Sequence, residues 1–240
     1  DGATYIYRDG KEYVNIFPVW DWRRVPGITC IHSNKPLMPP ELLKPPENPT
    51  REEGDQFAIR MNRSVGARGT RDFVGGVSDG AYGLAAMDFV RGPLAARKAW
   101  FFFDREIVCL GTDITATAED PVLTSVNQCL LRGPVTVSDG GQTASLDRGR
   151  RELGGLCWVH HDGVGYVFPE KTKVVLAAEK QEGNWHDIVL ANRSQPVSEN
   201  VFSLWIDHGH PVLGGQYRYL IVPGVEPAAL ETYAKSPAVE

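Results

Sequence analysis

Long apolar runs are missing from this chain. None reaches the roughly 18 to 20 positions that a membrane-crossing helix needs, and the first residues lack the basic, apolar and small-residue zones of a secretory leader. Cysteine is scarce: Cys30, Cys109, Cys129 and Cys157 are the full set. No two of them form a CxxC pair, which argues against a cysteine-built zinc module. Cys109, inside Ile107-Val108-Cys109-Leu110, and Cys157, before Trp158, read as small buried hydrophobes, with one or two disulfides as the alternative. Excess positive charge is lacking too. The 25 Lys and Arg against 30 Asp and Glu leave a formal charge of -5. That balance argues against a generally basic nucleic-acid surface, although it allows a local cluster such as Arg23 and Arg24. Helical periodicity is nearly absent, with Pro227 to Lys235 the one convincing stretch. No GxSxG nucleophile elbow occurs. Gly76-Val77-Ser78-Asp79-Gly80 comes near it without the strand-to-helix setting that the elbow requires. The glycine-rich stretch from Phe73 to Gly83 also lacks a following helix, so its glycines read as sheet bends and close backbone approaches, not as a phosphate cradle. No propeller-type repeat is evident.

What the chain does contain is strands. With 42% hydrophobic residues in 240 positions, a sizeable core can be buried. Hairpins are predicted from Thr4 to Ile16 around Asp9-Gly10, from Ala99 to Gly111 around Asp104-Arg105, and from Leu156 to Pro169 around Asp162-Gly163. Further strands are expected at 122–131, 135–137, 173–178, 187–191, 201–208 and 217–222. Residues 34–54 hold six prolines and read as an excursion or loop. Many short strands with Gly and Asp turns predict an all-β protein, a large antiparallel sandwich in one domain. Several strands are apolar on both faces, so more than one covering layer is expected. Asn62-Arg63-Ser64 and Asn192-Arg193-Ser194 match the glycosylation acceptor pattern, which is short enough to arise by chance.

Chemistry concentrates in Asn15-Ile16-Phe17-Pro18-Val19-Trp20-Asp21-Trp22-Arg23-Arg24-Val25-Pro26-Gly27-Ile28-Thr29. Indole faces stack on the apolar faces of sugar rings, and guanidinium groups bind carboxylate or sulfate through two parallel hydrogen bonds. Trp20, Trp22, Arg23 and Arg24 therefore suit an acidic carbohydrate. The competing reading places Trp20 and Trp22 on one face of a strand as core, with the arginines solvated. Histidines give a weaker signal. His160 and His161 are strand neighbours and point to opposite faces, so they do not share an ion readily. His208 and His210 could do so if the strand ran on through Gly209, but no carboxylate pair accompanies them, and satisfied turn histidines are the simpler reading. A glycosidase would need two facing carboxylates. Asp21, Asp72, Asp79, Asp88, Asp104 and Asp207 offer too many choices to select a pair.

The order of several longer motifs resembles the family 8 polysaccharide lyases, the hyaluronate, chondroitin AC and xanthan lyases. The resemblance rests on Asn15 to Trp22 with Pro26 to Thr29, on Gly75 to Gly83, and on Lys98-Ala99-Trp100-Phe101-Phe102-Phe103-Asp104. It continues through Val126-Asn127-Gln128, His161 to Pro169, Gly183-Asn184-Trp185, Val201 to Gly209, and Tyr217 to Gly224. The resemblance implies a galactose mutarotase-like super-sandwich, with residues 1–240 forming the central domain of a larger secreted enzyme. An N-terminal helical toroid and a smaller C-terminal β domain would lie outside this chain. It implies β-elimination on an acidic, uronic-acid-containing polysaccharide such as hyaluronan, chondroitin or xanthan, with the proton-transferring groups mainly on the toroid. Asp21 falls where some chondroitin lyases carry a glutamate at the cleft, one methylene longer, and is thereby the catalytic candidate. Trp20, Trp22, Arg23 and Arg24 would contact substrate. No cofactor is implied as required. A structural calcium near Ser78-Asp79-Gly80 is implied from some members, with Asp79 and Asp88 as its candidate ligands. The alternative from another class is a non-catalytic carbohydrate-binding or aldose-epimerase-like sandwich.

Overall fold

The computed structural model describes residues 19–21, 24, 26–32, 70–155, 157–184 and 196–235. The hairpin expected at 4–16, the proline-rich stretch 34–54, the strand expected at 187–191, Trp22, Arg23, Asn62 and Asn192 lie outside the described residues. Fourteen strands and one helix are described. In chain order they are β1 Thr29–Ile31, β2 Val74–Ser78, β3 Gly83–Arg91, β4 Leu94–Phe102, β5 Ile107–Ala116, β6 Val122–Leu130 and β7 Val135–Asp139. Then come β8 Gln142–Leu146, β9 Gly149–Leu153, β10 Cys157–His161, β11 Val164–Phe168, β12 Val174–Asn184, β13 Pro196–Asp207, β14 Val212–Pro223 and α1 Pro227–Lys235. They form a five-stranded sheet, β1-β6-β13-β12-β9, and a nine-stranded sheet, β2-β3-β4-β5-β14-β11-β10-β7-β8. Adjacent strands are antiparallel throughout.

Strand alternation explains the layers. On β13, Phe202, Leu204 and Ile206 face inward with Leu176 and Ala178 of β12, and meet Tyr166, Phe168, Tyr217 and Tyr219 from the other sheet. The intervening Trp205 turns outward with Leu123, Val175 and Ala177. The outer face of the nine-stranded sheet is apolar as well: Val108, Trp158, Val167, Leu220 and Val222 are covered by Leu230 of α1. A nine-residue helix is marginal alone, so packing must hold it. Gly165 lets it approach, because a Cβ there would stand 2.6 Å from Leu230 Cδ1, and Trp158 donates its indole N–H to Glu231 at 2.9 Å. Sheets buried on both faces account for the near-continuous apolar strands, and the expectation of more than one covering layer is met.

Polar groups inside the sandwich are paired. His161 stacks on Phe202 with ring centroids 4.4 Å apart and accepts the Arg132 backbone N–H at Nε2, 3.0 Å away. His160, on the opposite face, meets the Val225 carbonyl at 2.8 Å. Both buried thiols lie in apolar surroundings that push them up, Cys109 to about 11 and Cys157 to about 12. They are protonated packing groups, poor nucleophiles at neutral pH.

Candidate functional site

Val19, Trp20, Asp21 and Arg24 lie on the outer face of the five-stranded sheet, and a bulge in β6 decides how they and Gly27 and Ile28 are gripped. β13 residues Leu204 and Trp205 pair with Asn127 and Ser125, so Val126 is the extra residue. In a regular strand, positions 125 and 128 would face opposite ways; the extra residue brings both to the same side. Ser125 then donates its hydroxyl to the Arg24 carbonyl at 2.7 Å. Its backbone carbonyl accepts from Gly27 N–H, and its N–H donates to the Ile28 carbonyl, each at 2.8 Å. The Gln128 amide clasps Asp21 through the backbone alone, accepting its N–H at 2.9 Å and donating to its carbonyl at 3.1 Å. From the other sheet, the buried Lys98 ammonium donates to the Gly27 carbonyl.

With its backbone fixed, the segment presents two interacting side chains, Asp21 and Arg24, to a third, His32, just past β1. One carboxylate oxygen of Asp21 lies 3.1 Å from both Arg24 Nε and His32 Nε2. His32 Nε2 also lies 3.3 Å from Arg24 Nε and Nη2, so it donates to Asp21 in one tautomer and accepts from Arg24 in the other. The Asp21, Arg24 and His32 side chains are 20%, 19% and 12% exposed, so the group borders solvent without projecting into it. The Arg24 guanidinium rests over the Trp205 ring, 4.2 Å from its centroid. A carboxylate held against a guanidinium and an imidazole can fix the direction of both, which is what a wall of an anionic-sugar cleft needs.

The other expected residues are placed differently. Trp20 is 9% exposed and packs with Val19 and Val201. Its indole is therefore enclosed in the layer above β13. The segment is not a strand at Trp20, so strand alternation does not govern where this indole points. Asp79 spends its carboxylate on the β2–β3 turn, accepting the N–H groups of Ala81 at 2.9 Å and Tyr82 at 2.7 Å. Those bonds hold its pKa below the ordinary carboxylate range. Asp88 lies five positions along β3 from Gly83, facing Arg71 at 3.7 Å. At about 3.3 Å per residue the two carboxylates are some 15 Å or more apart, too far to share a calcium ion with ligand distances near 2.4 Å. Among the described residues, no three His, Cys, Asp or Glu side chains converge into a metal-holding group. His208 turns inward to Thr124, with 2.9 Å between Nε2 and the hydroxyl oxygen. Burial lowers its pKa to about 4, and the strand ends at Asp207, with Gly209 at φ 73°, so no strand carries His210 to the same face.

A depression of about 610 Å³ opens on the outer face of the nine-stranded sheet, floored by Ala99, Phe101 and Leu110. Its cations are already matched, Arg97 to Asp113 at 2.9 Å and Arg218 to Glu170 at 3.1 Å. An acidic ligand gains little from charges already neutralised; at the Asp21 face Arg24 is likewise paired, and that face is set apart by a second guanidinium, Arg150, over the same Trp205 ring. Sequence reasoning did not assign roles to His32, Ser125, Gln128 and Trp205. Two of these, Gln128 and Trp205, stand inside motifs quoted for the family resemblance, but their contact with residues 21–24 is set by the bulge and the β6–β13 register.

Lys98 supplies a pH test of this anchorage. It is 5% exposed, and burial lowers its pKa to about 8 from the ordinary 10.5. The unfolded chain therefore binds more protons between these values, so this residue disfavours folding below about pH 8 and the penalty fades as pH rises toward 10.5. Cysteine and tyrosine ionisation acts oppositely at alkaline pH, so a difference measurement is needed. The free energy of unfolding of wild type minus that of Lys98→Met should rise between pH 8 and pH 10.5 by about 3 kcal/mol at most. Chemical denaturation at several pH values measures it, and a flat difference would refute the assignment.

Comparison with known proteins gives a consistent family. A family description, "Polysaccharide lyase family 8, super-sandwich domain", matches residues 1–234. Chondroitinase-AC of Pedobacter heparinus is 39% identical over 235 residues, 97% of this chain and 30% of that protein. Xanthan lyase of Bacillus sp. strain GL1 is 36% identical over 175 residues, 67% of this chain and 19% of that protein. A solved chondroitinase AC lyase, determined with oligosaccharides, superposes at a TM-score of 0.75 with 37% identity, covering 94% of this chain and 30% of that one. The chain thus spans about a third or less of the length of these relatives.

Proposed function

The chain belongs to polysaccharide lyase family 8 as its super-sandwich domain, and from that premise we propose that it forms one wall of the substrate cleft in a larger secreted lyase. That enzyme cleaves an acidic, uronic-acid-containing polysaccharide of the hyaluronan, chondroitin or xanthan class by β-elimination. The proton on C5, beside the uronate carboxylate, is removed, the C4–oxygen glycosidic bond breaks, and the new chain end carries a C4–C5 double bond. Removal of that proton demands neutralisation of the carboxylate and a positioned base. Within this chain, Asp21 orients Arg24 and His32 at the border of solvent. The base and the remaining carboxylate-neutralising groups belong to an N-terminal helical domain of the same protein, against which this face docks.

The single observation that carries this reading is the Asp21–Arg24–His32 group at the border of solvent, its Asp21 backbone clasped by Gln128. The full-length protein, incubated with hyaluronan, chondroitin or xanthan, should generate the ultraviolet absorbance of unsaturated uronate. No absorbance gain on any of the three would overturn the proposal. The isolated 240 residues should give none, and robust turnover by them alone would refute the division of labour.

A further inference from the structure

Among the described residues, Arg150 forms no ion pair and stands against an aromatic ring. It lies on β9, the edge strand of the five-stranded sheet, opposite Ala177 of β12. Ala177 belongs to the outward-facing cluster with Trp205, so Arg150 emerges on the same face as Asp21 and Arg24. Its guanidinium stands 5.1 Å from the centroid of the Trp205 ring that Arg24 also covers. One enclosed indole, 3% exposed, therefore carries two guanidinium groups.

The ion pairs around this indole leave Arg150 out, although Glu152 and Glu179 hold neighbouring outward positions. Asp21 is taken by Arg24 and His32. Asp207 holds Lys173 at 2.8 Å, and Glu152 faces the same ammonium at 3.9 Å. Arg148, in the turn before β9, donates to the neutral side-chain carbonyl of Asn200. Arg150 forms no ion pair among the described residues, in a protein whose formal charge is -5. An exposed guanidinium with no ion pair of its own can take an anionic visitor. The indole restricts the guanidinium plane while leaving its edge donors in solvent, an arrangement suited to bidentate binding of a planar or trigonal oxyanion.

We infer that Arg150, seated on Trp205 beside Arg24, is a specificity-determining residue that binds an oxyanion of the polysaccharide, carboxylate or sulfate, at a subsite next to the Asp21 group. The inference rests on the proposed lyase reading for the identity of the polymer. It extends the substrate track from the 19–28 segment across β13 and β12 to the β9 edge. Arg150 binds substrate there and takes no part in proton transfer.

The test is steady-state kinetics of the full-length enzyme carrying Arg150→Ala, Arg150→Lys or no substitution, on sulfated and unsulfated chondroitin. Loss of one charge-assisted contact should raise KM roughly ten-fold in Arg150→Ala with kcat within two-fold of wild type. Arg150→Lys should recover part of the loss, since it keeps the charge without the planar fork. The salt dependence of KM should also become shallower. If the loss appears only on sulfated polymer, the ligand is sulfate; if it appears on both, the ligand is the uronate carboxylate. Either pattern supports the subsite. An unchanged KM on both polymers, or equal losses of kcat and thermal stability with KM constant, would overturn it. Should wild type produce no unsaturated product, the lyase reading fails by itself. Calorimetric titration of the same proteins with chondroitin oligosaccharides then decides the role of Arg150, with weaker binding by Arg150→Ala supporting it and equal binding refuting it.

Discussion

Asp21→Ala in the full-length enzyme is expected to lower kcat/KM on its uronic-acid polymer by about 100-fold or more, equivalent to roughly 3 kcal/mol of transition-state stabilisation. It should cost only about 1 to 2 kcal/mol of folding stability. The two effects separate because of how Asp21 is held. Gln128 grips its N–H and carbonyl, and alanine retains both groups. Ser125 holds Arg24 and Gly27 through their backbones as well. The segment should therefore stay on the sheet after substitution. What is lost is the acceptor that fixes Arg24 Nε and His32 Nε2, each at 3.1 Å. A freed guanidinium can still lie on Trp205, but its direction is no longer set. Asp21→Asn offers a finer probe, because the amide oxygen can still accept a hydrogen bond while the charge is removed. If Asp21→Ala loses stability in the same proportion as turnover, measured by thermal unfolding beside the absorbance assay, the segment is a packing element and its place in the cleft is refuted.

Much of the fold was legible because local chemistry and tertiary structure agree. The helix expected from Pro227 to Lys235 is α1 with the same bounds, since proline at its first turn and the following residues leave few other choices. The hairpin at Asp162-Gly163 is β10–β11, and both turn residues adopt the positive φ that such a tight connection needs, 49° and 74°. Strands without a pattern were missed. Gln142–Leu146 and Gly149–Leu153 are polar and sit at or beside sheet edges, where little burial constrains composition. Gly83–Arg91, which follows the glycine-rich stretch, is not expected as a strand either. β12 and β13 run to eleven and twelve residues, extending toward Asn184 and back to Pro196 in polar stretches that periodicity does not mark.

The site was legible only in part, for a different reason. The density of Trp20, Asp21 and Arg24 singled out the segment, but density does not say which side chains are spent on packing. Trp20 is enclosed, while Arg24 is drawn onto an indole 181 positions later in the chain, over Trp205. Nothing in local spacing announces that pairing, or the bulge at Val126 that turns Ser125 and Gln128 toward the same segment. Arg150 is further removed still, because β9 gives no strand signal from which its outward direction could be inferred.

The interior offers a prediction of comparable size at Gly111. A Cβ on this residue would lie 2.0 Å from Cε1 of Tyr217 and 2.5 Å from its Cζ, deep inside ordinary contact distance. Tyr217 is 5% exposed and pairs directly with Gly111 across β5 and β14. Its ring also stacks at 5.7 Å on Tyr219, which is 1% exposed. The ring therefore has no open volume to move into, and Gly111→Ala forces backbone movement in one of two central strands. Overpacking of this kind costs about 3 kcal/mol or more, which for a domain of this size lowers the melting temperature by roughly 6 to 12 °C. A shared-contact test isolates the cause. In a Tyr217→Leu background the branched side chain leaves the space over residue 111, so the added methyl should cost less than about 1 kcal/mol, and the double-mutant cycle should show a coupling of about 2 kcal/mol. Thermal or denaturant unfolding of the four proteins measures it. If Gly111→Ala costs the same in both backgrounds, the penalty is a backbone effect of replacing glycine in a strand, and the ring packed over Gly111 is not its source.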